Sequence, residues 1–286
     1  MSAEDGFRPP RVGVVGGRGR MGSWFASRLA ASGCPVVIAD LADGPLKGAD
    51  LAACPVILLA VPVAAMDSAL QAIAPHAPAD GLIADLASLK AAPLERMLTL
   101  APGQVLGLHP LFGPGAESLA GQTVFACPGR PGPLVDWLLA WLAGQGAHLT
   151  FIKPQRHDEL MALVQSLRQM LLFGLGAALR EQGFDPADLP LAGAWFNQIW
   201  DLLVRQCRQP AGLYAGLALA NPEAGPALES LAGALESLAG RLRAGDAAGL
   251  EAQLSGIIAW VGEAEKKVDA PLEGVYCIQK SQGRMQ

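Results

Sequence analysis

The feature that most restricts the fold is a rhythm in the first 110 residues. Five short apolar runs recur there: RVGVVG (11–16), PVVIAD (35–40), VILLAVP (56–62), GLIADL (81–86) and QVLGL (104–108). Continuous Val, Ile and Leu, with little polar alternation, suits strands covered on both faces, as in a parallel sheet. Between the runs lie helix-like segments such as 21–32, stopped by Gly33, and 91–100, with Pro93 in its first turn. Strands and helices alternating in this way fold as a doubly wound α/β domain with a mostly parallel sheet. TVFACP (123–128) and HLTFI (148–152) supply closing strands. A chain of 286 residues that is 51% hydrophobic and 16% charged has core enough for this domain and a second one.

The strand rhythm stops near residue 153. Residues 154–182, 187–207, 223–243 and 246–267 read as helices, with breaks at Asp185-Pro186, Asn221-Pro222 and Gly245-Asp246. The expected organisation is a tail (1–10), the α/β domain (11–153), an all-α domain (154–267) and a C-terminal tail (268–286). Leu228, Leu231, Leu235, Leu238 and Leu242 follow a 3-4 spacing over two heptads. That length is too short to specify a coiled coil, so the spacing favours a packed bundle helix over a dimer seam. A helical half this apolar still folds more comfortably against a partner subunit, so a homodimer is expected. Trp195 and Trp200 read as core or dimer packing.

The net charge of −5 argues against non-specific nucleic-acid binding. No apolar run reaches the ~18 residues of a membrane span, so no membrane partner is expected. Met1 to Pro10 does not read as a signal peptide, and the letters HDEL at His157–Leu160 lie mid-chain. Five scattered cysteines, odd in number and without ligand spacing, read as reduced thiols of a cytoplasmic protein with no metal site.

The segment VGVVGGRGRMG places Gly17, Gly19 and Gly22 directly after a strand and at the start of a helix. The three glycines serve a tight turn, close backbone approach to a pyrophosphate, and close packing of helix on strand. Arg18, Arg20 and Met21 complete the loop, and the helix N-terminus offers free N–H groups to phosphate. Asp40 ends the second strand, 18 residues after Gly22, where an acid can grip ribose hydroxyls. A carboxylate there repels a 2′-phosphate, so NAD is favoured over NADP; Arg18 and Arg20 pull the other way. A nicotinamide bound in this frame extends towards VPVAA, DLASLK and GLHPLFGP, at the carboxyl ends of later strands. His109 stands at one of those tips, among glycines and prolines that admit neither a helix nor an ordinary strand. A neutral imidazole there can accept a hydrogen bond from a substrate.

Together VVGGRGRMG, DLASLK, GLHPLFGP and HDELMALVQSLRQ resemble the prephenate dehydrogenases, over roughly residues 11 to 267. The resemblance implies a Rossmann domain followed by a helical dimerisation domain. It implies oxidative decarboxylation of a prephenate-type cyclohexadiene, with NAD or NADP taking the hydride. Within it His109 accepts the hydrogen bond of the C4 substituent, and Ser88 bonds the same substituent. Ser88 also suits a helix N-cap. Lys90 is a supporting charge near the cleft or a solvated side chain. Arg205 clamps a carboxylate, the alternative being a surface pair with Asp201. His157 and Asp158 match a pair to which a structural role at the domain junction is assigned. His76 and His148 receive no role.

Two positions depart from the pattern. Gln169 stands where the family has a histidine, and Asn197 where some relatives have an arginine. Both can bond the substrate, but neither carries charge. Loss of two cations suits a substrate with an ammonium at C4, 4-amino-4-deoxyprephenate, with prephenate itself the other reading. Neither a fused mutase segment nor a regulatory tail is expected. Imine reductases, 6-phosphogluconate-type dehydrogenases and a non-catalytic nucleotide sensor share the glycine loop and are the competing classes.

Overall fold

The computed structural model describes residues 8–266 and the backbone of 276–278. These divide into two compact units, 8–159 together with 276–278, and 160–266. The first unit is built on one sheet. Its strands are β1 (Val12–Val15), β2 (Val36–Ala39), β3 (Val56–Leu59), β4 (Leu82–Asp85), β5 (Gln104–Pro110), β6 (Thr123–Pro128), β7 (His148–Phe151) and β8 (Tyr276–Ile278). They lie in the order β2-β1-β3-β4-β5-β6-β7-β8. The first five are mutually parallel, β6 runs antiparallel to β5, β7 parallel to β6, and β8 antiparallel to β7. The helices of this unit are α1 (Arg20–Ala31), α2 (Val63–Ile73), α3 (Ala91–Leu100) and α4 (Pro133–Gly144).

The apolar runs are buried on both faces, as a sheet between helices requires. Val12, Val14, Val56, Leu58, Leu106 and Leu108 join Phe25 and Leu29 of α1 and Leu138 and Leu142 of α4 in one cluster. Residues of opposite parity, Ile57, Leu59, Ile83 and Val105, are equally buried. Each such side chain contributes about 1.5–3 kcal/mol through removal from water.

Three expectations are corrected in this unit. First, β5 does not end at residue 108: it runs through His109 to Pro110, because β6 pairs it antiparallel, with Leu108 opposite Ala126 and His109 opposite Phe125. Proline is tolerated in the last position of the strand, where a missing N–H costs least. His109 is thus a strand residue, held more firmly than a loop residue. Second, part of the expected C-terminal tail is the edge strand β8. Third, the unit boundary falls after Glu159 rather than after residue 153. His157 and Asp158 are bonded into the first unit, as described below.

The second unit is helical. Helix α5 (Pro154–Met161) begins in the first unit; the chain then runs through a π-helical segment (Ala162–Leu167), α6 (Arg168–Glu181), a 3₁₀ segment (Pro186–Leu191) and α7 (Gly193–Cys207). It continues with α8 (Ala211–Ala220), α9 (Ala224–Ala244) and α10 (Ala247–Glu265). The α9–α10 turn is sharp because Gly245 adopts a left-handed conformation, φ 62°, and Asp246 then caps α10 through the Gly249 N–H. Helix α8, AGLYAGLALA, is absent from the sequence-based expectation. Its two glycines weaken helix propensity, and a nearly all-apolar decapeptide shows no 3.6-residue rhythm.

Two further expectations fail here. The run Pro154–Glu181 is 28 residues long and, by length and composition alone, apolar enough to cross a membrane. Its first turns carry His157 and Asp158 buried in a polar network. The leucine stripe of α9 is packed only in part within the chain: Leu231 and Leu238 are half-buried. Leu228, Leu235 and Leu242, spaced seven apart, are 38%, 52% and 67% exposed.

Candidate functional site

The glycine loop joins β1 to α1. The tight turn falls one residue earlier than expected, at Gly16, whose φ is +76° and whose N–H donates to the Ala39 carbonyl at 2.8 Å. A Cβ on Gly16 would lie 2.5 Å from the Ala60 carbonyl oxygen. Gly22 does the job expected of it: a Cβ there would stand 2.2 Å from the Gly16 carbonyl oxygen, so only glycine lets α1 approach the strand end. Gly17 is pressed against Ile38, and Gly19 is the N-cap of α1 with an extended backbone and no side-chain cap. The first-turn N–H groups of α1 therefore face outward with the positive end of the helix dipole, as a pyrophosphate requires. Arg20 opens α1, and the half-buried Met21 packs on the core.

Asp40 follows β2. Its carboxylate accepts from the Arg18 N–H at 2.9 Å and from the Ala42 N–H at 3.0 Å, so it is locked beside the loop. The Arg18 guanidinium is engaged by Asp43, through Nε at 2.7 and 2.8 Å and through Nη2 at 2.7 Å. This bonding raises the arginine's pKa and lowers that of Asp43. A carboxylate at the ribose position and open N–H groups at the phosphate position fit a dinucleotide.

The second part of the site lies at the ends of β4 and β5, where His109 is 3% exposed. Its Nδ1 lies 2.8 Å from His157 Nε2, and His157 Nδ1 lies 2.7 Å from Asp158 Oδ1. Proton positions follow from the far end. A carboxylate only accepts, so His157 Nδ1 carries hydrogen and donates to Asp158. With His157 uncharged, its Nε2 is the acceptor and His109 Nδ1–H donates to it. His109 Nε2 keeps its lone pair. In this arrangement His109 Nε2 is left as a hydrogen-bond acceptor.

Asp158 is held in turn by α3. Its Oδ1 accepts from the Lys90 N–H at 2.8 Å and its Oδ2 from the Ala91 N–H at 2.9 Å. It caps α3 in the place proposed for Ser88, which is half-buried in the β4–α3 loop. Phe125 packs edge-on against His157 at 5.3 Å between centroids. Burial first, and then the neighbouring His157 and Lys90, push the His109 pKa well below its ordinary 6.5. His109 is therefore neutral throughout the physiological range.

Lys90 corrects its expectation. It is 0% exposed, so it is neither a solvated side chain nor a substrate ligand. Its ammonium donates to Asp85 Oδ2 and, at 2.8 Å, to the Leu108 carbonyl. Burial raises the Asp85 pKa, opposed by Lys90 and by the Ala87 N–H at 2.9 Å. His157 and Asp158 were read from sequence as structural. The structure brings His157 into contact with His109, with Asp158 behind it, and the 48-residue separation of the two histidines left no sequence signal.

Arg205, Gln169 and Asn197 lie in the second unit. Arg205 is exposed on α7 and, among the described residues, forms no ion pair with Asp201. Gln169 is buried on α6, where its carbonyl accepts from Gln206 Nε2 at 2.9 Å. Asn197 is half-buried on α7. The side-chain oxygens of Gln169 and Asn197, the two positions that depart from the pattern, are both buried without a partner. Among the described residues no group of three His, Cys, Asp or Glu could hold a metal.

The family model described as "Prephenate dehydrogenase, nucleotide-binding domain" matches residues 30–151. A T-protein of Enterobacter agglomerans is 31% identical over 90% of this chain and 69% of its own length. A 4-amino-4-deoxyprephenate dehydrogenase of Streptomyces pristinaespiralis is 32% identical over 87% of this chain and 91% of its own length. The chain belongs to the prephenate dehydrogenase family. A T-protein of Haemophilus influenzae is 33% identical, but the chain spans only 59% of that relative's length. The fold agrees: the prephenate dehydrogenase of Aquifex aeolicus, crystallised with hydroxyphenyl propionate and NAD+, superposes with a TM-score of 0.69 at 18% identity. That match covers 91% of this chain and all of the other. Family membership sets aside the imine reductase and 6-phosphogluconate readings.

Proposed function

We propose that this protein catalyses the NAD-dependent oxidative decarboxylation of a prephenate-type cyclohexadiene, 4-amino-4-deoxyprephenate in preference to prephenate. The observation that carries the reaction type is the His109–His157–Asp158 relay, which leaves an acceptor nitrogen on an uncharged, buried imidazole. Bound NAD supplies the hydride acceptor. Gly17, Gly19 and Gly22 give its pyrophosphate access to the α1 N-terminus, with Arg18, Arg20 and Met21 around the loop. Asp40 takes the ribose hydroxyls. Asp40 at the ribose position and the pairing of Arg18 with Asp43 support NAD over NADP.

As ring carbon C4 gives up its hydride, the substituent on C4 becomes more acidic. His109 Nε2 accepts its hydrogen, and Ser88 supplies a second bond. Carbon dioxide leaves C1 and the ring becomes aromatic. Arg205 meets a substrate carboxylate with its planar fork. Acid–base help of this kind is worth about 10²–10⁴ in rate.

Two points support the amine. The Streptomyces relative matches over nearly its whole length, and Gln169 and Asn197 are neutral where the family resemblance implies a histidine and an arginine. A substrate with one more positive charge needs fewer cations around it. Steady-state kinetics on both substrates with NAD, followed by absorbance of reduced nicotinamide, tests this. The amino substrate is expected to have at least about tenfold higher kcat/KM, the size of one lost charge-assisted bond. A preference for prephenate overturns the amine.

The pH profile is a second test. The kcat/KM plateau is expected to extend below pH 6.5, because His109 resists protonation there. The low pKa also lowers stability in acid. Below about pH 6.5 the unfolded chain takes up a proton that the folded chain refuses, so stability falls as pH falls. A limb centred at 6.5 or above contradicts the assignment.

We also propose a cytoplasmic homodimer formed through the helical unit. Its α9 leucine stripe, with Trp195, Ile258 and Trp260 at 85%, 72% and 70% exposure, leaves a large apolar surface bare in one chain. Sedimentation equilibrium is expected to give twice the chain mass; the mass of a single chain at micromolar concentration removes the dimer.

A further inference from the structure

The buried Asp85–Lys90 pair has no place in the chemistry above, yet it sits under the strand end that carries His109. Lys90 contributes at two points. Its ammonium bonds the Leu108 carbonyl, which belongs to the same peptide unit as the His109 nitrogen. Its own backbone N–H bonds Asp158 Oδ1, the atom to which His157 donates. One residue thus holds both the strand before His109 and the far end of its relay.

Two details show that this arrangement is built for something other than stability. Asp85 Oδ1 is fully buried and has no partner, a cost that a well-packed apolar pair would avoid. Gly107 makes the room: a Cβ there would stand 3.2 Å from Lys90 Cδ and 3.4 Å from Asp85 Oδ1. The glycine before the Leu-His-Pro of the GLHPLFGP motif therefore accommodates the lysine stem beneath the strand.

We propose that Lys90, held by Asp85, is the positioning residue of His109, setting its place on β5 and its relay to Asp158. This rests on the reading of His109 as the hydrogen-bond acceptor. The charged or titratable groups around His109 are His157 and Asp158 on α5, Asp85 on β4, Lys90 in the β4–α3 loop and Cys127 on β6. Burial pushes the Cys127 thiol up to about 12, so it stays neutral and only Lys90 and the relay act on the imidazole.

The test is the double variant Asp85→Asn/Lys90→Met in the full chain, which removes both charges and leaves neither unpaired. It is expected to fold, by circular dichroism, and to bind NAD as before in a fluorescence titration. Turnover is expected to fall about tenfold or more through loss of alignment. The acidic limb of kcat/KM is expected to move to higher pH, because the cation that opposes protonation of His109 is gone. A purely structural pair changes the melting temperature and leaves the limb in place. A folded double variant with unaltered turnover and limb overturns the proposal. Should the double variant fail to fold, Gly107→Ala displaces the lysine stem while keeping both charges. It is expected to lower kcat several-fold with NAD affinity kept, and wild-type kcat and pH limb in that variant overturn the proposal equally. If His109→Ala also retains turnover, the functional reading itself has failed; if His109→Ala is inactive while these variants match wild type, only the positioning role is lost.

Discussion

Replacing His109 with alanine is expected to lower turnover at least a hundredfold while leaving NAD affinity within a few-fold of wild type. The magnitude follows from acid–base assistance, worth about 10²–10⁴ in rate. The selectivity follows from place. The residues assigned to NAD are on the β1–α1 loop and at the end of β2, whereas His109 is near the end of β5. The change opens a cavity next to His157 and removes the partner of His157 Nε2, so a modest stability loss accompanies it. Single-turnover kinetics with saturating NAD separates the chemical step from binding, and a melting curve confirms that the variant is folded. If NAD still binds and turnover persists within tenfold of wild type, the protein does not use this imidazole. If the wild-type protein binds NAD but turns over neither substrate, a nucleotide sensor is favoured instead.

The single substitution Lys90→Met is expected to destabilise the fold by about 3–5 kcal/mol, the range for breaking one partner out of a buried ion pair. Methionine fills much of the same volume, so the loss is not mainly a cavity. It arises because Asp85 is left in the interior with the Ala87 N–H as its remaining partner, and because the Leu108 carbonyl loses its donor. The sign of the pH dependence is a separate check. Burial already raises the Asp85 pKa above its ordinary 3.8, and removal of the lysine raises it further. The folded state then binds a proton that the unfolded state releases, so the variant loses stability as pH rises. Urea titrations at two pH values are expected to show a larger deficit at the higher one. A deficit below about 1 kcal/mol at neutral pH shows that the pair is not held as the structure places it.

How much was legible in advance depended on whether the signal was local. The apolar runs and the close packing of Gly22 were readable because strand burial and helix–strand contact each act within a few residues. Gly16 was passed over for Gly17 because the motif spacing does not reveal which of two adjacent glycines turns left-handed. The strand around His109 was missed for a different reason. Gly107 and Pro110 are poor strand formers by themselves, and only the antiparallel partner β6 draws them into the sheet. Helix α8 had no rhythm to detect. The leucine stripe of α9 was visible as a stripe, but its exposure depends on what the rest of the chain leaves uncovered.

The chain's own order of residues determined the layered α/β unit, the helical second half and the nucleotide loop, because those depend on periodicity and turn chemistry. Tertiary structure alone decided that Lys90 is dry, that Asp158 caps α3, and that His157 stands between Asp158 and His109. Those pairings join groups up to 68 residues apart. They exist only where β4, β5 and α5 converge, and burial there turns ordinary side chains into a directed hydrogen-bond chain.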